Sequence, residues 1–199
     1  MKVRPLSIEG AFEVTPVQHG DARGSFLEWY RFDVLAAAVG HPLDLAQANL
    51  STSARDVVRG IHFADVPPGQ AKYVTCVAGA ILDVVVDLRV GSPTFGTWEA
   101  VRLDDQDRRA VYLAEGLGHA FCALTAGATV TYLCSSTYRP GHEHGVHPLD
   151  ADLGIDWPIG TPLLSTKDEA APSLAEAQVS GLLPQYDACS AYTASLRRI

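Results

Sequence analysis

Lysine is nearly missing from this chain of 199 residues, which carries it only at positions 2, 72 and 167. Basic charge is short as well: 15 Lys and Arg face 23 Asp and Glu, a net charge of −8. That balance excludes a nucleic-acid partner held through phosphates, which needs a basic face. No apolar run approaches the ~20 residues that cross a bilayer, so no membrane partner is expected. Met1-Lys2-Val3-Arg4-Pro5 opens without the apolar stretch of ~7–15 residues that a secretory signal uses, and the expectation is a cytoplasmic protein. No glycine-rich phosphate loop runs into a helix, which excludes P-loop and Rossmann nucleotide sites. The four cysteines, Cys76, Cys122, Cys134 and Cys189, form no C-x-x-C pair. That spacing argues against a cysteine zinc site, and the apolar surroundings of the first three read as those of buried thiols rather than of a disulfide framework.

What fills the chain is strand. From Arg4 to about Tyr138, short apolar runs are bounded by Gly, Pro and Asp, the pattern of an all-β protein. Tyr73–Val77 and Ile81–Leu88 predict two strands joined by a small-residue turn at Gly79, and Trp98–Leu103, Ala110–Leu113, Ala120–Leu124 and Thr129–Cys134 predict four more. Strands so short and numerous point to an antiparallel barrel or jelly roll rather than to alternating βα units. Helix is expected only at the margins. Phe32–Val39 has Gly40 placed to stop it, and Ser173–Val179 has Ser173 and Glu176 spaced as a capping box. The stretch from Pro140 to Pro162 is read as a connection with little regular structure. The whole chain, 1–199, is expected to form one domain, with a jelly-roll core over about 5–140 and a C-terminal segment, 141–199, lying on it.

Two strands carry the sharpest chemistry. His62 lies in Val57-Val58-Arg59-Gly60-Ile61-His62-Phe63, and Lys72 opens the apolar run that follows Pro67-Pro68-Gly69-Gln70-Ala71. Desolvating an ammonium costs several kcal/mol, so a lysine between Ala71 and Val74 needs a partner or a task. An imidazole base beside a fixed cation suits proton abstraction next to a carbonyl, with the cation holding the enolate oxygen. On a strand, Lys72, Val74 and Cys76 share one face, as do Val130, Tyr132 and Cys134 on another, so ammonium, imidazole and phenol are able to line one cavity. Arg23, Arg59 and Lys72 together would suit a diphosphate. His62 has no H-x-H partner, and His142-x-His144 lies in a loop context. Metal binding is therefore not the favoured reading, and His142, His144 and His147 are read as solvated loop residues.

Several ordered motifs go further. Arg59-Gly60-Ile61-His62-Phe63, Pro68-Gly69-Gln70-Ala71-Lys72, Leu82 to Arg89, Gly91-Ser92-Pro93-Thr94-Phe95-Gly96, Glu115-Gly116-Leu117-Gly118-His119-Ala120-Phe121 and Leu164-Ser165-Thr166-Lys167-Asp168 resemble the dTDP-4-dehydrorhamnose 3,5-epimerase family, in register from about Pro5 to Pro184. Gly181-Leu182-Leu183-Pro184 resembles the ending of actinobacterial members, including those of antibiotic deoxysugar pathways. The resemblance implies a cupin-type double-stranded jelly roll without metal or cofactor, usually a homodimer, acting on a dTDP-4-keto-6-deoxyhexose. By position it implies His62 as general base, Asp168 as its orienting carboxylate, Tyr132 as the acid on the opposite face and Lys72 as the group that stabilises the C4 enolate. It also implies Arg23, Glu28, Gln47, Asn49, Arg59, His119, Glu143 and Lys167 around the nucleotide sugar, Tyr138 stacked on thymine, and Asp83 supporting the site. Leu50 and His19 depart from the family's commonest residues. Epimerisation at C3, C5 or both is the leading expectation. A 3,4-ketoisomerase and a non-catalytic nucleotide-sugar-binding jelly roll are the alternatives.

Overall fold

The computed structural model describes residues 1–197. In chain order its elements are β1 (Lys2–Pro5), β2 (Ala11–Thr15), β3 (Gln18–Asp21), β4 (Gly24–Leu27), α1 (Phe32–Val39), β5 (Gln47–Ser53), β6 (Val58–Ala64), β7 (Lys72–Ala78) and β8 (Ala80–Asp87). There follow β9 (Trp98–Asp104), β10 (Ala110–Leu113), β11 (Leu117–Ala123), β12 (Ala128–Cys134), β13 (Glu143–Gly145), α2 (Thr166–Glu169), α3 (Leu174–Val179) and α4 (Tyr186–Leu196). One sheet has the order β1-β2-β10-β7-β12-β5 and the other β13-β6-β11-β8-β9, while β3 and β4 form a separate hairpin. The strands named in these sheets pair antiparallel. This is the all-β jelly roll that the strand pattern predicts.

Three pairs of consecutive strands divide between the two sheets instead of pairing as hairpins. β7 lies in the six-stranded sheet and β8 in the five-stranded one, and β9 with β10 and β11 with β12 divide in the same way. The runs read as strand pairs are thus strand crossings from one sheet to the other. The apolar pattern fits this. β8 is a nearly continuous apolar run because both its faces are covered. Ile81 and Val85 join the core between the sheets with Val74, Val130 and Phe121, whereas Val84, Val86 and Leu88 face a second core under Trp157, Leu174, Ala177 and Leu183.

Both expected helices form. Gly40 closes α1 in the left-handed conformation, with its N–H on the Ala36 carbonyl, and Ser173 and Glu176 cap α3 reciprocally. The connection from Pro140 to Pro162 needs correction: Glu143–Gly145 forms β13 and extends the five-stranded sheet beside β6. Three residues are too few to leave a periodic signal. The short α2 and the longer α4 were likewise not legible as helices. All four cysteines are free and buried.

β6 carries the irregularity that matters for function. Its pairing with β11 runs His119 opposite His62 and then Phe121 opposite Arg59, so the register shifts between them. Gly60, inside that shift, has φ +120°, and a Cβ there would sit 2.5 Å from Ala120 Cβ and 2.6 Å from the His119 carbonyl oxygen. Gly60→Ala is expected to destabilise the fold by about 3 kcal/mol, since overpacking and a forbidden backbone conformation each cost about 1–3 kcal/mol. A denaturant midpoint equal to that of the wild type would contradict this reading of the bulge.

Candidate active site

The bulge puts Arg59 and His62 on one cavity, although three residues apart on a regular strand they would face opposite sides. This cavity, about 200 Å³, is lined by Ser51, Arg59, His62, Lys72, His119, Phe121, Tyr132, Ser165, Lys167 and Asp168. His62 Nε2 is 2.6 Å from Asp168 Oδ1. A carboxylate accepts only, so Nε2 carries the proton and Nδ1 is left as the basic nitrogen. Asp168 is buried in the first turn of α2, where its N–H donates to the Ser165 hydroxyl that caps the helix. Leu163, just upstream, is bonded to Asp56 and Val58 at the start of β6, so the segment bearing Asp168 is fastened to the strand bearing His62. Burial works to raise the Asp168 carboxyl. The His62 hydrogen bond and charge, with bonds from Ser165 and the Gly60 backbone, outweigh it and hold the group below its ordinary value.

The facing sheet supplies the other side. Lys72 opens β7, with Tyr132 on the adjacent β12, where Cys134 pairs with Lys72 and Tyr132 with Val74. Burial lowers the Lys72 ammonium, against the opposing influence of Cys134, Glu143 and Asp83. Burial raises the Tyr132 phenol, and the Arg59 charge pulls it back. His119 comes from β11, beside β6, and its Nε2 is 2.8 Å from Asp83 Oδ2 on β8.

Of the expected site residues, His62, Tyr132, Asp168, Lys72, Arg59, His119 and Lys167 meet on this cavity. Asp83 stands behind His119. Asn49 is opposite Tyr132 on β5, and its side chain donates to Cys134 Sγ at 3.7 Å. Gln47 donates to Asn49 Oδ1 at 2.8 Å and accepts from the Tyr138 N–H at 2.9 Å, so Tyr138, itself exposed, is tied to the same strand. Glu143 lines a smaller neighbouring cleft with Gln70 and Arg139. Arg23 and Glu28 are not brought to the cavity: Arg23 pairs with Asp21 at the exposed tip of the β3–β4 hairpin, and Glu28 pairs with Arg31 at 3.3 Å. Leu50 and His19 are both exposed. Sequence reasoning missed Ser51, Phe121 and Ser165. Ser51 and Phe121 follow Asn49 and His119 by two, the strand repeat, and that spacing was the available signal.

The sequence pattern of the dTDP-4-dehydrorhamnose 3,5-epimerase family matches residues 5–176. The chain belongs to this family. It is similar to the dTDP-4-dehydrorhamnose 3,5-epimerase of Mycolicibacterium smegmatis, at 57% identity over 100% of this chain and 98% of that one. Among solved structures it is similar to NovW, a 4-keto-6-deoxy sugar epimerase from the novobiocin biosynthetic gene cluster of Streptomyces spheroides, with TM-score 0.94, 67% identity and 95% of each chain covered. It is also similar to ChmJ, a 3'-monoepimerase from Streptomyces bikiniensis solved with dTDP-quinovose, with TM-score 0.95, 55% identity and 97% and 98% of the two chains covered.

Membership in the epimerase family fits the two-sided arrangement of the cavity. A larger cleft of about 440 Å³ between α1 and α4 is less suited to chemistry, since its buried guanidinium, Arg89, is already held by both oxygens of Asp87 at 2.8 Å. Among the described residues no group of three or more His, Cys, Asp or Glu is arranged to hold a metal ion. His142 and His144 instead share Asp65, at 3.1 and 2.7 Å. His144 is mostly covered, in β13, so its reading as a solvated loop residue is corrected. No helix among the described residues is long and apolar enough to cross a membrane.

The lowered Asp168 carboxyl has a consequence for stability. Its folded pKa lies below that of the unfolded chain, about 3.9 for an aspartate, so its contribution is present above that pH and is lost as pH falls through the folded value. In urea melts across pH 2–6, Asp168→Asn is expected to show a shallower acid loss than the wild type. Parallel curves would mean that the His62–Asp168 pair gives no such stabilisation.

Proposed function

We propose that this protein epimerises a dTDP-4-keto-6-deoxyhexose at C3, C5 or both, in deoxysugar biosynthesis of the dTDP-L-rhamnose or antibiotic type. The observation that carries the reading is that His62 and Tyr132 line one cavity from facing sheets. Inversion needs a base on one face of the ring and an acid on the other, because a single group returns the proton to the side it came from. His62 Nδ1 takes the proton next to the C4 carbonyl, and the C–H electron pair moves into the ring as the carbonyl becomes an enolate. Asp168 orients the imidazole and stabilises the imidazolium. Lys72 stabilises the enolate oxygen, a role suited to a preorganised cation in a partly dry site. Tyr132 gives its hydroxyl proton to the carbon from the other face, with Arg59 nearby to stabilise the phenolate. Proton exchange with solvent then resets both groups. No step draws on a metal or other cofactor.

Arg59, His119 and Lys167 offer charge and hydrogen bonds for the diphosphate and sugar, with Asp83 fixing His119. Gln47, Asn49, Tyr138 and Glu143 extend the site toward the base. A two-stranded hairpin is marginal by itself, and β3 and β4 pair only with each other, with Phe26 67% exposed. We assign that arm, with Arg23 and Glu28, to the cavity of a second copy in a homodimer. Sedimentation equilibrium is expected to give twice the chain mass, and a monomer at working concentration would overturn the assignment.

Two variants test the chemistry with dTDP-4-keto-6-deoxyglucose in D₂O, followed by NMR at C3 and C5. His62→Ala is expected to lower turnover by about 10²–10⁴-fold with dTDP affinity nearly unchanged. Tyr132→Phe is expected to keep washing deuterium into recovered substrate while forming little inverted product. Inversion by Tyr132→Phe at the wild-type rate would remove the tyrosine from the mechanism, and a C3–C4 proton shift in place of inversion would favour the ketoisomerase.

A further inference from the structure

We propose that Glu115, outside the cavity, is a positioning residue that sets where Lys72 stands by tying together the three strand ends around it. The proposal rests on the reading of Lys72 as the enolate-stabilising cation. Lys72 is the first residue of β7, flanked by Leu113 at the end of β10 and by Cys134 at the end of β12. Immediately beyond this rung the sheet is closed by side chains. The Ala71 N–H donates to Ser135 Oγ at 2.8 Å, and Ser135 Oγ donates to Glu115 Oε1 at 3.0 Å. The Ser135 N–H returns to the Ala71 carbonyl at 3.0 Å. One chain of bonds thus joins the residue before Lys72, the residue after Cys134 and the residue two beyond Leu113.

The turn that delivers Lys72 also rests on Glu115. Gly69 has φ +68°, and a Cβ there would lie 2.6 Å from Glu115 Cβ and 2.8 Å from Cγ, so that turn sits directly on the glutamate stem. Ser136 holds it from the other side, with its hydroxyl on the Gly69 carbonyl at 2.8 Å. Glu115 is 2% exposed, so its side chain is enclosed by these strand ends. Burial raises the Glu115 carboxyl. Glu115 acts through the oxygen that accepts from Ser135 and through its stem, on which the turn at Gly69 rests.

The test is a mutant cycle on the full-length enzyme with dTDP-4-keto-6-deoxyglucose, reading kcat, KM and deuterium wash-in per folded molecule. Glu115→Ala is expected to lower kcat and wash-in together by about 10–100-fold, the usual effect of a displaced catalytic group, with KM within about threefold. Glu115→Gln, which keeps an acceptor for Ser135, is expected to stay within about twofold of the wild type in kcat. Ser135→Ala breaks the same chain with a small volume change and serves where Glu115→Ala does not fold. In a Lys72→Met background neither alanine change is expected to lower wash-in further, because there is no ammonium left to position. Wild-type kcat in the alanine variants, an equal loss in Glu115→Gln, or losses that add to that of Lys72→Met would each overturn the proposal. A wild-type enzyme without turnover would overturn the reading of the site, and this inference with it.

Discussion

The cavity depends on one constraint: the consecutive strands that carry its base and its cation cross between two facing sheets. β6 and β7 are separated only by the turn through Pro67, Pro68 and Gly69, yet they belong to opposite walls. Groups only ten residues apart, His62 and Lys72, therefore meet across a gap. In a hairpin they would lie side by side on one surface. The same crossing brings Tyr132 on β12 to face the histidines of β6 and β11. A jelly roll thus gives opposed chemistry without any long excursion of the chain.

Holding these groups still is the work of buried polar pairs. His62 leans on Asp168 and His119 on Asp83, each through Nε2, which fixes the tautomer of both rings. Asp87 does the equivalent for the architecture, gathering Arg89, Ser92 and Thr94 at the turn after β8. Burial penalises the Asp87 carboxylate, but the Arg89 and hydroxyl bonds keep it ionised below its ordinary range. Such pairs are expensive to break from one side, since the surviving charge is left buried and alone. An acidic protein can therefore present a cationic cavity: its carboxylates stand behind the histidines while Lys72, Arg59 and Lys167 face inward.

Much of this was legible in the residues. Short runs ending at Gly, Pro and Asp predict the strands, and the capping residues at Ser173 and Gly40 predict two helices, because these signals act within a few residues along the chain. The isolated lysine of β7 and the histidine of β6 were conspicuous for an equally local reason, the cost of putting charge in an apolar run. The family motifs extended that reading to Asp168 and His119, whose neighbours in space are far away in sequence. β13, α2 and α4 were not legible. β13 and α2 are too short for periodicity, and α4 carries apolar and polar residues with little sidedness.

The sequence by itself determined most of the extended segments of the core, where they turn, and that a base and a cation stand on successive strands. Tertiary structure decided that those strands oppose rather than pair, that Arg59 turns to the same side as His62, and that Arg23 and Glu28 stay out of their own chain's cavity. The physical reason is range. Propensity, capping and desolvation act over a turn or a strand, whereas sheet assignment depends on which apolar faces find one another across the whole chain. The Gly60 bulge likewise depends on close contact with Ala120, sixty residues away, which no local pattern in β6 encodes.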